Sequence, residues 1–148
     1  MALQRGARAR RHQHGAVLPE YACAIISDAH GRLLLQLRPA HARHAPDQLT
    51  CFGGRREDHE DDVTCLRREL HEELAWQPRA ITPACELWHG SRFIARFFST
   101  AWDGSPLRTE PGHIAIWAPA TALAGLPLSP WHAAVLFSVY QGRTEVRL

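Results

Sequence analysis

At 148 residues the chain is long enough to bury one real core and too short for two comfortable domains. Its 45% hydrophobic and 22% charged residues exclude a disordered class, and no apolar run approaches the roughly 20 residues that span a bilayer. A formal charge of +2, with Arg5, Arg8, Arg10 and Arg11 gathered before Gly15, does not by itself argue for a nucleic-acid or membrane partner.

Those arginines have no apolar stretch behind them, which argues against a secretory leader. The expectation is a flexible basic arm over residues 1–15, one domain over 16–148, and a cytoplasmic protein. Cys23, Cys51, Cys65 and Cys85 show no Cys-x-x-Cys spacing and fall in apolar or helical segments, so they read as small core residues. The histidines form no His-Glu-x-x-His pattern, and His41 with His44 lies in a loop.

Taken in chain order, residues 20–29 read as a buried strand. Gly31 turns the chain into a second strand over 32–38, making a hairpin. Residues 39–47, with two prolines and no apolar period, form a loop into a short strand over 48–52 that Gly53-Gly54 ends. A long helix follows from residue 60 or 61 to 74. Asp61 and Asp62 sit at the positive end of its dipole, and Val63, Leu66, Leu70 and Leu74 recur every three or four residues as a core-facing stripe.

Pro78 stops that helix. Strands are predicted over 80–88 and 91–102, separated by Gly90, then a loop from Asp103 to Gly112 and a strand over 113–117. A short helix over 120–124 and a longer one over 130–140, with Ser129 as cap and Pro130 in its first turn, complete the chain. Strands and helices mix without strict alternation, which suggests a mixed sheet with helices on both faces.

The long helix also carries Glu69, Glu72 and Glu73 at i, i+3 and i+4, within an arc of roughly 100°. Like charges so spaced destabilise a helix by about 0.2–0.5 kcal/mol a pair, so the cluster asks for a positive partner. A bare Glu-x-x-Glu-Glu reads as a solvated acidic face with Arg67 and Arg68 as counter-charges. It also suits a hard divalent ion such as Mg²⁺ or Mn²⁺.

The longer pattern decides between these. Gly54 is followed after five residues by Glu60, and Glu60 after seven by Arg68-Glu69-Leu70-His71-Glu72-Glu73-Leu74-Ala75-Trp76. This segment closely resembles the signature of the Nudix hydrolases, which is Gly, five residues, Glu, seven residues, Arg-Glu-aliphatic, one residue, Glu-Glu, one residue, Gly-aliphatic. It departs at Ala75, where the signature has glycine, and at Trp76, where it has an aliphatic residue. A left-handed helix exit at Ala75 costs about 1 kcal/mol relative to glycine.

The resemblance extends over about residues 20–140 and implies an α/β/α sandwich around a central mixed β-sheet. It implies a metal-dependent hydrolase that cleaves a nucleoside diphosphate linked to another moiety, with Mg²⁺ as cofactor and Mn²⁺ as a substitute. Carried over by position, Glu72 and Glu73 bind metal, Glu69 binds metal or activates water, and the Gly53 carbonyl is a further ligand. Arg68 orients the glutamates, with Glu60 in the same network and Gly54 and Leu70 as structural positions of the motif. Glu110 sits in the loop where many members place an additional metal-binding or catalytic glutamate, and it reads equally as an exposed turn residue. Glu57 is a weaker candidate for a supporting role, and Asp103 weaker again.

The substrate is less legible. Residues 35–44 loosely resemble the arm upstream of the motif in coenzyme A pyrophosphatases, but Cys51-Phe52-Gly53-Gly54 stands where those have Phe-Pro-Gly-Gly. Arg38 and Arg43 could clamp phosphates or sit on a solvated loop. Trp88, Phe98, Trp117 and Trp131 could stack on a base or fill the core. Two alternative functions remain: a binding module without hydrolysis, and a role on oxidised nucleotides or RNA ends. The expected partner is a nucleotide-type small molecule, and a homodimer could form through residues 93–98 or the last helix.

Overall fold

A computed structural model describes residues 17–148; the arm expected over 1–15 lies outside them. The elements are β1 (Tyr21–Ser27), β2 (Arg32–Leu37), β3 (Leu49–Thr50), β4 (Phe52–Arg55), α1 (Asp62–Leu74), β5 (Thr82–His89), β6 (Arg92–Ala101), β7 (Ile114–Pro119), a 3₁₀ turn (Ala120–Gly125), α2 (Pro130–Tyr140) and β8 (Glu145–Arg147). The strands form one mixed sheet in the order β3-β2-β1-β6-β5-β8, with β4 added to β1 and β7 to β2. β1 lies parallel to β6 and β5 parallel to β8, while the other pairs are antiparallel.

The period of two along β1 divides the interior. Ala22, Ala24 and Ile26 face one side, where they join Phe52, Phe98 and the α1 residues Cys65, Leu66, Leu70 and Leu74. Cys23 and Ile25 face the other, with Leu33, Leu35, Phe97 and the α2 residues Val135 and Leu136. The result is the expected sandwich, one helix on each face. Two alanines in β1 let α1 approach closely, and burying each leucine of its stripe contributes about 1.5–3 kcal/mol. All four cysteines are buried and free. Among the described residues no helix is long and apolar enough to cross a membrane.

Several local expectations are corrected. The strand expected over 48–52 is two short strands with different partners, β3 on β2 and β4 on β1. Gly53-Gly54 does not end it, because β4 runs through both glycines to Arg55. The glycines are needed for close approach instead. Gly53 has φ +146°, and a Cβ there would overlap the Ala22 carbonyl of the neighbouring strand. The hairpin of β1 and β2 pairs only at Ile26 with Leu34 and Ser27 with Leu33, since β4 takes the rest of that edge of β1.

Ser129 precedes α2 without a capping side-chain bond, so Pro130 alone prepares that helix start. The strand β8 has no counterpart among the predicted elements. Only Val146 of its three residues turns inward, too short a pattern to recognise until its partner β5 is in place.

Candidate active site

The site is built where α1 crosses β4. Asp61 caps the helix by accepting a hydrogen bond from the Thr64 backbone N–H at 2.8 Å, so α1 begins one residue later. The buried Asp62 pairs with Arg96, which also donates to Glu86 at 3.0 Å, tying the first turn to β6 and β5. At the other end Ala75 adopts the left-handed conformation, φ 51° and ψ 39°, and its N–H returns to the His71 carbonyl at 3.0 Å. The exit geometry is therefore kept without glycine. Trp76 then buries its ring in the α1-side core and donates to Asp103 at 3.1 Å, giving Asp103 a structural role.

Arg68 organises the carboxylates. It grips Glu60 with two bonds, Nη2 to Oε1 at 2.6 Å and Nε to Oε2 at 3.1 Å. It donates to Glu69 at 3.0 Å and reaches Glu72 at 3.5 Å. Its remaining bond, to the Arg55 carbonyl at 3.2 Å, fixes it to the end of β4. The Glu60 side chain is only 2% exposed, and Arg68 holds its carboxyl down at about 2.

Glu69 and Glu73 face the glycines. The Glu69 carboxylate fills the space a Cβ on Gly54 would need, which accounts for glycine at that position. Glu73 accepts from the Gly53 N–H at 3.1 Å. Burial, followed by repulsion from Glu69, pushes the Glu73 carboxyl up to about 8, and the charge of Glu110 adds to that pressure. Burial also raises Glu69, although Arg68 opposes the rise.

Sequence-derived candidates thus divide. Arg68, Glu69, Glu72, Glu73, Gly53, Gly54 and Glu60 come together, Leu70 is buried in the core, and Glu110 approaches from an exposed loop. Arg38 lines a cavity on the opposite face of the sheet, whereas the exposed Arg43 does not. Of the aromatics, Trp88 stacks on Phe93, Trp117 packs on Trp102 and Phe98 is fully buried; only Trp131 borders the cavity.

Among the described residues, the closest group of three metal-binding side chains is Glu57, His59 and Glu60. Glu60 is already committed to Arg68 there. Glu69, Glu72 and Glu73 do not converge as tightly.

Gln36 is a member of the site that sequence reasoning misses. It is buried, donates toward the Cys51 carbonyl at 3.5 Å, and its amide lies near enough to Glu73 to oppose the rise that burial imposes on that carboxyl. Its signal is a lone amide in the apolar run Leu33-Leu34-Leu35-Gln36-Leu37.

The sequence profile of the NUDIX domain matches residues 17–139. The chain belongs to the Nudix hydrolase family. It is a hydrolase acting on phosphoanhydride bonds.

Solved structures agree in fold. A MutT structure from a study of Aliivibrio salmonicida and Vibrio cholerae is 15% identical, with TM-score 0.67 over 82% of this chain and 94% of that one. The E. coli ORF135 protein is 23% identical, with TM-score 0.64 over 86% and 92%. The NUDIX domain of Shewanella oneidensis NrtR, complexed with ADP ribose, is 17% identical, with TM-score 0.67 over 85% and 88%. No curated protein matches the chain.

Proposed function

We propose that this Nudix hydrolase cleaves a nucleoside diphosphate linked to another moiety and releases a monophosphate, using Mg²⁺, with Mn²⁺ as a substitute. The observation that carries the reading is the pair Glu69 and Glu73 pressed against Gly53-Gly54. Glu73 is half-buried beside a second carboxylate and makes no ion pair among the described residues. A folded protein retains such a group when a cation completes it. The donors are hard oxygens, which fit Mg²⁺.

Glu69, Glu72, Glu73 and the Gly53 carbonyl would hold the ion, with Glu110 closing from its loop. Such an ion would neutralise the non-bridging phosphate oxygens and make the attacking water more acidic. Glu69 accepts a proton from the attacking water as a new O–P bond forms and the bridging P–O bond breaks; such a base contributes about 10²- to 10⁴-fold. Arg68 positions Glu69, and Glu60 positions Arg68. The ADP ribose in the related NrtR domain supports a nucleotide-type substrate with a second moiety. Four free buried thiols support the cytoplasmic setting.

The test is phosphate release from a panel of nucleoside triphosphates, dinucleotides, nucleotide sugars and coenzyme A, with and without Mg²⁺. Glu73→Gln is expected to lower turnover by about 10²-fold or more on any responsive substrate. Near wild-type turnover in that variant, or activity that survives exhaustive chelation, would show the metal assignment to be wrong.

A further inference from the structure

Between Glu110 and Arg143 the chain holds no Asp, Glu, Lys or Arg, so α2 has no permanent charge on any side. Its inward stripe is accounted for. His132 accepts from the Cys51 N–H, Val135 and Leu136 are fully buried, and Val139 packs on the same core. A second apolar stripe of Pro130, Ala133, Phe137 and Tyr140 lies about 130° around the helix from the first. Its spacings of three, four and three residues are those of a seam between two helices. Phe137 is 41% and Tyr140 52% exposed, Pro130 is exposed and Ala133 half-buried, so nothing among the described residues covers the stripe. A surface helix ordinarily turns charged residues outward, and one that is apolar all round belongs in an interior.

The stripe fits its own copy. With two α2 helices antiparallel across a two-fold axis level with Val135, Phe137 meets the partner's Ala133 and Tyr140 meets the partner's Pro130. Both pairs share that one centre, and in each a ring faces a smaller side chain, so bulk on one copy enters space on the other. A two-fold contact sets a face against itself, and a charged face would repel its copy. An uncharged one does not. The same lack of charge gives an acidic or basic partner no counter-charge, and the basic segment 1–15 has no apolar run to lay along the stripe.

We infer that this stripe joins two copies of the chain into a homodimer, α2 antiparallel to α2. A helix of 11 residues is about 16 Å long and about 10 Å wide, so the pairing covers a few hundred Å² on each copy. That is the low end of specific interfaces, which makes the dimer reversible and half-formed at roughly tens of micromolar. Trp131 and His132, which border the cavity on the α2 face of the sheet, lie off the stripe, so the pairing does not use them. The inference does not depend on which substrate the hydrolase takes.

Sedimentation velocity of the full chain from about 2 to 200 µM tests it. The mass is expected to rise from 16.6 kDa toward twice that value, and to do so equally in about 1 M NaCl, because no charge holds the pair. Phe137→Glu should stay monomeric throughout with an unchanged circular-dichroism spectrum. Should Phe137→Glu not fold, Tyr140→Lys at the far end of the stripe decides in its place. Ala133→Phe fills the space that the partner's Phe137 needs and should weaken association about 10-fold or more. Combining it with Phe137→Ala exchanges bulk and space and should return the affinity to within several-fold of wild type. A wild type that is monomeric at every concentration overturns the inference, as does a dimer that survives Phe137→Glu or a double variant no tighter than Ala133→Phe. A chain that stays monomeric yet cosediments with phosphatidylcholine vesicles would give the stripe to a lipid surface and equally overturn the pairing.

Discussion

The two faces of the sheet solve different problems with the same short strand. On the α1 side, β4 meets a helix crowded with carboxylates, and charge is organised by one guanidinium, Arg68, in contact with Glu60, Glu69 and Glu72. On the α2 side, the same strand borders a cavity walled by Leu87, Ile94 and Phe97, with Arg38 and Arg92 among its lining residues and no carboxylate there among the described residues. The separation is physical. Carboxylates gathered on one face suit a cation, while the opposite face, with arginines and apolar walls and no carboxylate among its described lining, suits an uncharged or anionic group.

If the α1 face is the chemical one, the largest expected effect is on turnover. Glu69→Gln should lower kcat by about 10²- to 10⁴-fold while thermal stability stays near wild type. Unchanged single-turnover kinetics would remove Glu69 as the base and move attention to Glu110.

Arg68→Ala should cost both activity and fold, because it strands the buried Glu60. A fall in Tm of about 6–12 °C by calorimetry is expected. A change under about 2 °C would mean that the network is not what holds α1 on β4.

The same pair has a pH signature. Glu60 is held at about 2, below its ordinary 4.5, so its stabilising contribution is full above about 4.5 and is lost as pH falls toward 2. The Tm difference between wild type and Glu60→Gln should therefore shrink on acidification from pH 6 to pH 2.5. A constant difference would contradict the pairing.

The smallest effect belongs to the helix exit. Ala75→Gly relieves a left-handed residue and should stabilise by up to about 1 kcal/mol, or about 3 °C, with kcat unaltered. A loss of stability would show that chain entropy outweighs the strain at this cap.

Much of the α1 face is legible in the amino-acid sequence. The spacing from Gly54 through Glu60 to Arg68 and the three glutamates is local, carried by a loop and one helix whose 3.6-residue period can be read from the chain. The opposite face is not legible in this way. His132 lies 81 positions beyond its partner Cys51, and nothing about a histidine in the first turn of α2 marks it as lining a cavity. Gln36 and Thr50 are equally mute, since a polar residue in a strand reads as exposed until both faces are known to be covered. The glycines mislead for a related reason: Gly53-Gly54 is a familiar turn signal, but here the neighbouring strand and Glu69 demand the missing Cβ atoms.

By itself the sequence determined the helix, its carboxylate arc, its ion-pair ladder and the family to which they belong, because these depend on residues a few turns apart along one chain. Only the tertiary structure decided that β4 runs through its glycines, that Asp103 serves structure, and that a cavity backs the site. Those features depend on strands distant in sequence meeting side by side. Burial and close approach exist only once they have met.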